Sequence, residues 1–188
     1  MIHSSLERVS RDVSLAIEWR AFELQPQEAG PFDPDALAEK KRQIDAYWPT
    51  VQRIAREEYG LELKQGELGV DTRLAHVGAK VARNLGKEDA YHAEVFQAHW
   101  IARRNISDPE VLVEIASRLG LDADAFRQGL QDDTLHAEVL GEELGAQQIG
   151  IRGVPALIIA NRYLLSGAQP AGRLLRLFQE YQERGTLE

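Results

Sequence analysis

What most restricts this chain is where its strand-type patterns fall. They lie near the two ends, and helical periodicity fills the space between. Val13, Leu15, Ile17 and Trp19 recur at every second residue, which predicts a strand over 13–19. Far along the chain, Ala156-Leu157-Ile158-Ile159-Ala160 is a short apolar run of strand type, and Tyr163-Leu164-Leu165 is a second. Asn161-Arg162 between them predicts a hairpin turning at 161–162. The implied architecture is an α/β unit interrupted by a long helical block. Its expected division is a core of residues 1–34 and 149–188 and an all-helical insertion of residues 35–148.

The helices are written in spacing and punctuation. Ile2, Leu6 and Val9 share a face over residues 1–10. A loop rich in Pro, Gly and Gln leads to Phe32-Asp33-Pro34-Asp35. A helix then runs to about Tyr59 through Leu37, Ile44, Trp48, Val51 and Ile54, with Pro49 expected to kink or split it. Leu74, Val77, Val81 and Leu85 mark a helix over 71–85, and Tyr91, Val95, Phe96 and Trp100 mark the next over 88–101. Ser107-Asp108-Pro109-Glu110 is a start signal, with a capping side chain and proline in the first turn, and Gly120 is the stop. Asp122 caps a short helix through Phe126. Asp132 or Asp133 opens another through Leu135, Val139, Leu140 and Leu144, with Gly145 out of character inside it. Leu174, Leu175, Phe178 and Tyr181 form the apolar face of a last helix that Gly185 caps.

Composition excludes several chemistries. None of the 188 residues is cysteine, so thiolate nucleophiles, disulfides, zinc–cysteine sites and iron–sulfur clusters are out. The net charge of -8 disfavours a nucleic-acid partner. No apolar run approaches the ~20 residues of a membrane helix, and residues 1–8 are too polar for a signal peptide, so a cytoplasmic protein is expected. His92 and His99 with Glu94 have no histidine at helical ligand spacing, and His76 and His136 are isolated; no metal and no cofactor is implied. Tyr91, Phe96 and Trp100 are expected in the core. The acidic pairs Glu57-Glu58, Asp132-Asp133 and Glu142-Glu143 are expected on solvated faces or at helix starts.

Three segments carry a family resemblance. Gly150-Ile151-Arg152-Gly153-Val154-Pro155 enters an apolar strand directly. Ser166-Gly167-Ala168-Gln169-Pro170 follows the hairpin. Ile17-Glu18-Trp19-Arg20-Ala21-Phe22-Glu23-Leu24-Gln25-Pro26 runs on from the end of the 13–19 pattern. Together with the Leu119-Gly120-Leu121-Asp122 turn, these resemble the DsbA family of thioredoxin-fold proteins, and within it the FrnE-like branch. The resemblance implies a thioredoxin-like core with a helical insertion, a cis bond before Pro155, and thiol–disulfide exchange on a protein or small-thiol substrate. It also implies an N-terminal strand and a Cys-x-x-Cys. In that family a helix N-terminus holds the first thiol as a thiolate and the second resolves the mixed disulfide. Neither the strand nor the cysteines has a counterpart here, so no catalytic residue carries over. Val154 and Pro155 do, as substrate-binding residues; Gly167 and Gln169 read as a turn and its cap. With that strand absent, the flanking strands are expected to collapse together or be covered by a second copy as a homodimer, unless Met1 is not the natural start. Two further readings stand beside this one. One is a glutathione-dependent isomerase or transferase of the kappa type, for which Ser4 and Ser5 lie too far along the first helix. The other is a non-enzymatic binding protein.

Overall fold

The computed structural model describes residues 1–24, 34–66 and 69–187. The expected loop before Asp35, through Phe32 and Asp33, and the Gln25-Pro26 end of the third segment lie outside them. The first helix is α1 (Ile2–Val9), with Leu6 and Val9 inward as its spacing predicts. Next come α2 (Pro34–Tyr59), α3 (Arg73–Asn84), α4 (Glu88–Trp100), α5 (Pro109–Arg118), α6 (Ala123–Gly129) and α7 (Asp133–Gln148). The hairpin of β1 (Ala156–Ile159) and β2 (Tyr163–Ser166) follows, and α8 (Ala171–Arg184) ends the described chain.

The start signals act as read. Asp108, Asp122 and Asp132 each accept a backbone N–H of the following turn, from Glu110, Ala125 and Thr134. Each cap satisfies a donor that has no partner inside its helix. Gly185 closes α8 at φ +69, a conformation that side chains with a Cβ avoid.

Three expectations need correction. Residues 13–19 are not a strand: among the described residues, β1 pairs only with β2, and the 14–20 backbone pairs with no other backbone. A period-two pattern specifies which side chains turn inward, and Val13, Leu15 and Trp19 do so. A strand also requires a neighbouring edge, and none among the described residues lies beside this segment. The second correction concerns α2, which runs unbroken for 26 residues through Pro49. Proline there removes one intrahelical bond, but ties on both sides hold the axis. Gln65 donates to Asp45, Gln52 donates to the Leu63 carbonyl, and Trp48 stacks on Trp100 with centroids 6.3 Å apart. Third, the hairpin turns one residue earlier than read. Ala160 and Asn161 have φ of 51° and 56°, and Arg162 N–H returns to the Ile159 carbonyl at 3.0 Å. Positive φ at both central residues is what a I′ turn requires.

Two apolar clusters result. The larger gathers α3, α4, α5, α6 and α7 around Tyr91, Leu112, Ile115 and Phe126, all fully buried. The smaller gathers α1, residues 13–19, the inner hairpin face and α8 around Leu174. In the hairpin, Leu157 and Leu165 are register partners packed on that second cluster. Ile158 and Leu164, partners on the opposite face, are 45% and 48% exposed.

Candidate functional site

The Gly150–Pro155 segment forms a loop between the end of α7 and β1. Gly150, at φ +84, turns the chain out of α7, and the N–H groups of Gly150 and Ile151 cap the carbonyls of Gln147 and Ala146. The Val154–Pro155 peptide bond is cis. The Pro155 carbonyl accepts the Gly167 N–H at 2.8 Å, which staples the loop to the turn after β2. That turn is braced from within: buried Gln169 donates Nε2 to the Ser166 carbonyl at 3.0 Å and to the Gly167 carbonyl at 3.3 Å. Gln169 is therefore occupied by its own backbone, as its reading as a cap implies.

Between loop and turn lies an open pocket of about 310 Å³, lined by residues 150–155 with Ser166 and Gly167. Val154 and Pro155 are both in its wall, and Val154 is 49% exposed. The pocket is lined by backbone, the apolar residues Ile151, Val154 and Pro155, Ser166 and the Arg152 cation, with no carboxylate, imidazole or thiol. It is built to recognise shape and backbone hydrogen-bonding groups and holds no acid–base pair.

The DSBA-like thioredoxin domain family matches residues 2–179 of this chain. The chain belongs to that family. As a DSBA-like thioredoxin domain it has a relative in the uncharacterized protein YwbO of Bacillus subtilis (strain 168), 27% identical over 169 residues, which cover 88% of this chain and 82% of YwbO. Among solved structures it is similar to the probable DsbA oxidoreductase SCO1869 of Streptomyces coelicolor. There the TM-score is 0.76 at 27% identity, over 100% of this chain and 87% of the other. It also superposes on 2-hydroxychromene-2-carboxylate isomerase with a TM-score of 0.75, over 97% of this chain and 87% of the other; at 19% identity that likeness shows the fold alone. The fold is thus thioredoxin-like with a helical insertion.

A second group of residues in this DSBA-like domain escaped the sequence reading. Glu142 and Glu143, expected on a solvated face, have buried side chains, because segment 20–23 and α3 bring partners to them. Lys80, 2% exposed, donates to both Glu142 oxygens at 2.7 Å. Glu142 also accepts the Ala21 N–H at 2.6 Å, and Glu143 accepts the Glu23 N–H at 3.2 Å. Arg73 is paired with Glu23, both of them buried. Burial and the Glu23 carboxylate beside it push Glu143 up to about 7. His76 lies within the same network and bonds to the Phe22 backbone; burial, reinforced by Lys80, depresses it to about 4. His92 sits against Trp19, with ring centroids 4.8 Å apart, and near Phe96; burial depresses it to about 4 also. His99 packs edge-on to Trp100. Neither joins a metal-binding group among the described residues. Every charged member of the buried network is matched by an opposite charge or a backbone donor, so the network fastens segment 20–23 to α3 and α7. Its signal was absent locally, since an acidic pair on a helix looks the same whether water or a lysine faces it.

Proposed function

We propose that this chain is a FrnE-like relative of the thiol–disulfide oxidoreductases that retains their substrate-binding loop, and that it binds a protein segment or a small thiol there. Residues 1–34 and 149–188 would form the thioredoxin-like core and 35–148 the helical insertion. The observation that carries this is the pocket at Val154 and Pro155, which offers backbone groups and an exposed apolar side chain and has no reactive side chain. With no cysteine in its 188 residues, any disulfide exchange at this surface would have to use thiols belonging to the ligands. An insulin-reduction assay with dithiothreitol tests the redox half: turbidity should develop no faster than without protein, and reproducible acceleration would overturn it. Chemical-shift mapping with a thiol-containing peptide tests the binding half. Perturbations should centre on residues 150–155 and 166–167 and vanish in Val154→Asp.

The likeness to an isomerase fold supports a kappa-type, glutathione-dependent reading less well. That chemistry can use a serine hydroxyl to hold the glutathione thiolate, and Ser5 is 1% exposed while the Ser4 hydroxyl is buried without a partner. Submillimolar glutathione binding that depends on Ser4 would favour it. The same proposal places the protein in the cytoplasm, where a chain lacking disulfides is at no disadvantage. It also includes a homodimer through the free side of β1, because open strand edges seek a pairing partner. Sizing in solution should then give twice the 21.1 kDa chain mass.

A further inference from the structure

A cleft of about 710 Å³ opens between α2, the segment after it and the turn after α4. That volume lies within the ~300–1,000 Å³ typical of small-molecule sites. Its walls are braced. The Lys64 N–H donates to the Trp100 carbonyl at 2.8 Å, which ties the segment to α4, and the bonds from Gln65 to Asp45 and from Gln52 to Leu63 tie it to α2. The cleft is lined by three cations, Lys41, Lys64 and Arg103, and one anion, Asp45. Asp45 is already engaged: it accepts from Gln65 at 2.6 Å and from Lys41 at 3.0 Å, and these bonds hold its carboxyl below the usual range. Lys64 and Arg103 have no ion-pair partner among the described residues, although the chain carries a net charge of -8. Neighbouring Arg104, by contrast, is forked onto Glu114 at 3.0 and 2.5 Å.

Arg103 has a second peculiarity. It is one of three non-glycine residues at positive φ among those described, at 56°. The other two make the hairpin turn. The left-handed region costs a residue with a Cβ about 1–2 kcal/mol, which glycine avoids. The turn it makes returns the Arg104 N–H to the Ala98 carbonyl at 2.8 Å, closing the end of α4, and sets Arg103 in the wall of the cleft.

We propose that this cleft binds a small, multiply charged oxyanion, either a phosphate ester or a dicarboxylate. Arg103 would offer a planar fork to one oxyanion group and Lys64 and Lys41 point charges to another. The site is separate from the Val154–Pro155 pocket and does not rest on the function proposed for it.

Titration calorimetry on the whole chain tests this, with sodium pyrophosphate and sodium succinate as separate probes at ionic strength held constant with sodium chloride. At least one should bind with a millimolar or tighter dissociation constant. Preference for pyrophosphate assigns the phosphate class, and preference for succinate the dicarboxylate class. Lys64→Gln and Arg103→Gln should each weaken binding about tenfold, the effect of losing one charge-assisted hydrogen bond, and Arg176→Gln on α8 should not. Arg103→Gly is the sharper variant, since it should raise the thermal midpoint by relieving the backbone while it loses the anion. The proposal is overturned if neither anion binds, if Lys64→Gln and Arg103→Gln bind as tightly as the parent, or if Arg103→Gly binds as well as the parent.

Discussion

At the scale of single residues, the larger core depends on a glycine that local pattern gives no reason to notice. Gly78 sits mid-helix in α3, where alanine would ordinarily gain about 1 kcal/mol in helix propensity. A Cβ there would lie 2.8 Å from Tyr91 Cζ and 3.0 Å from Phe126 Cζ, both in fully buried rings. Overpacking of that kind costs about 1–3 kcal/mol. Gly78→Ala should therefore lower stability, read as a lower urea midpoint at unchanged slope. The Tyr91 hydroxyl makes the opposite case: it is buried with no hydrogen-bond partner among the described residues, and burial pushes its ionisation up. Tyr91→Phe should leave stability unchanged or raise it by about 1 kcal/mol, since deleting an unsatisfied polar group removes its desolvation cost. The phenyl ring also leaves more room beside Gly78, so Gly78→Ala should cost less in the Tyr91→Phe background. Equal costs in both backgrounds would show that the ring is not what the added methyl meets. That Tyr91 is core was legible in the sequence, because its spacing with Val95 places it on the inner face of α4. Gly78 was not, because its constraint comes from aromatic rings that α4 and α6 carry across the fold.

Among elements, the division between legible and illegible follows the range of the interaction. The three aspartate caps, the Gly185 stop and the hairpin were readable because each acts within a few residues. Segment 13–23 was readable only in part. Its alternation predicted which side chains turn inward, but not that it would lack a strand neighbour or that 20–23 would dock through charges. Its docking rests on Lys80 with Glu142 and Arg73 with Glu23, residues 62 and 50 positions apart. Such pairs leave no trace in a local window. The candidate pocket was readable at Val154 and Pro155 because loop and strand adjoin in sequence, and its second wall followed from the hairpin. If the buried pairs fasten this segment, Glu142→Ala should be severe. It strands Lys80, whose remaining carboxylate neighbour, Glu138, is 3.8 Å away and half-exposed, and it frees the Ala21 N–H. Breaking one side of a buried ion pair costs about 3–5 kcal/mol. Replacing both partners, Lys80→Met with Glu142→Leu, should cost less than Glu142→Ala alone. Chemical denaturation of the three proteins provides the comparison, and limited proteolysis near residue 20 should show the segment loosening first.

Across the whole molecule, the two apolar clusters are joined by a seam of titratable groups, and this fixes how stability should respond to pH. His76 and His92 are depressed from the ordinary 6.5 to about 4 by burial, and His99 is lowered for the same reason. Between those values the unfolded chain takes up protons that the folded chain refuses, so stability present above pH 6.5 is lost as pH falls toward 4. Glu143 acts in the opposite sense. Raised from 4.5 to about 7, it keeps a proton in the folded state that the unfolded chain releases, so its contribution is complete below pH 4.5 and lost as pH rises through 7. Glu88, raised by burial, joins it. The lowered carboxylates of Glu110, Glu114 and Glu138, each held by an arginine, side with the histidines, since their contribution too disappears on acidification. Between pH 6.5 and 4 the two histidines depressed to about 4, with His99, oppose Glu143 and Glu88, so the expected net slope is a loss of stability on acidification; the lowered carboxylates add to it only below 4.5. Two substitutions separate the contributions. His92→Phe suits a site ringed by Trp19 and Phe96 in which the histidine Nε2 has no hydrogen-bond partner, and it should flatten the acid limb. Glu143→Gln keeps an acceptor for the Glu23 N–H but removes the opposing titration, so it should steepen the same limb. Thermal midpoints recorded at intervals from pH 4 to 8 read both effects. A parent profile that rises on acidification across this window would mean that Glu143 and Glu88, and not the buried histidines, govern the seam between the two clusters.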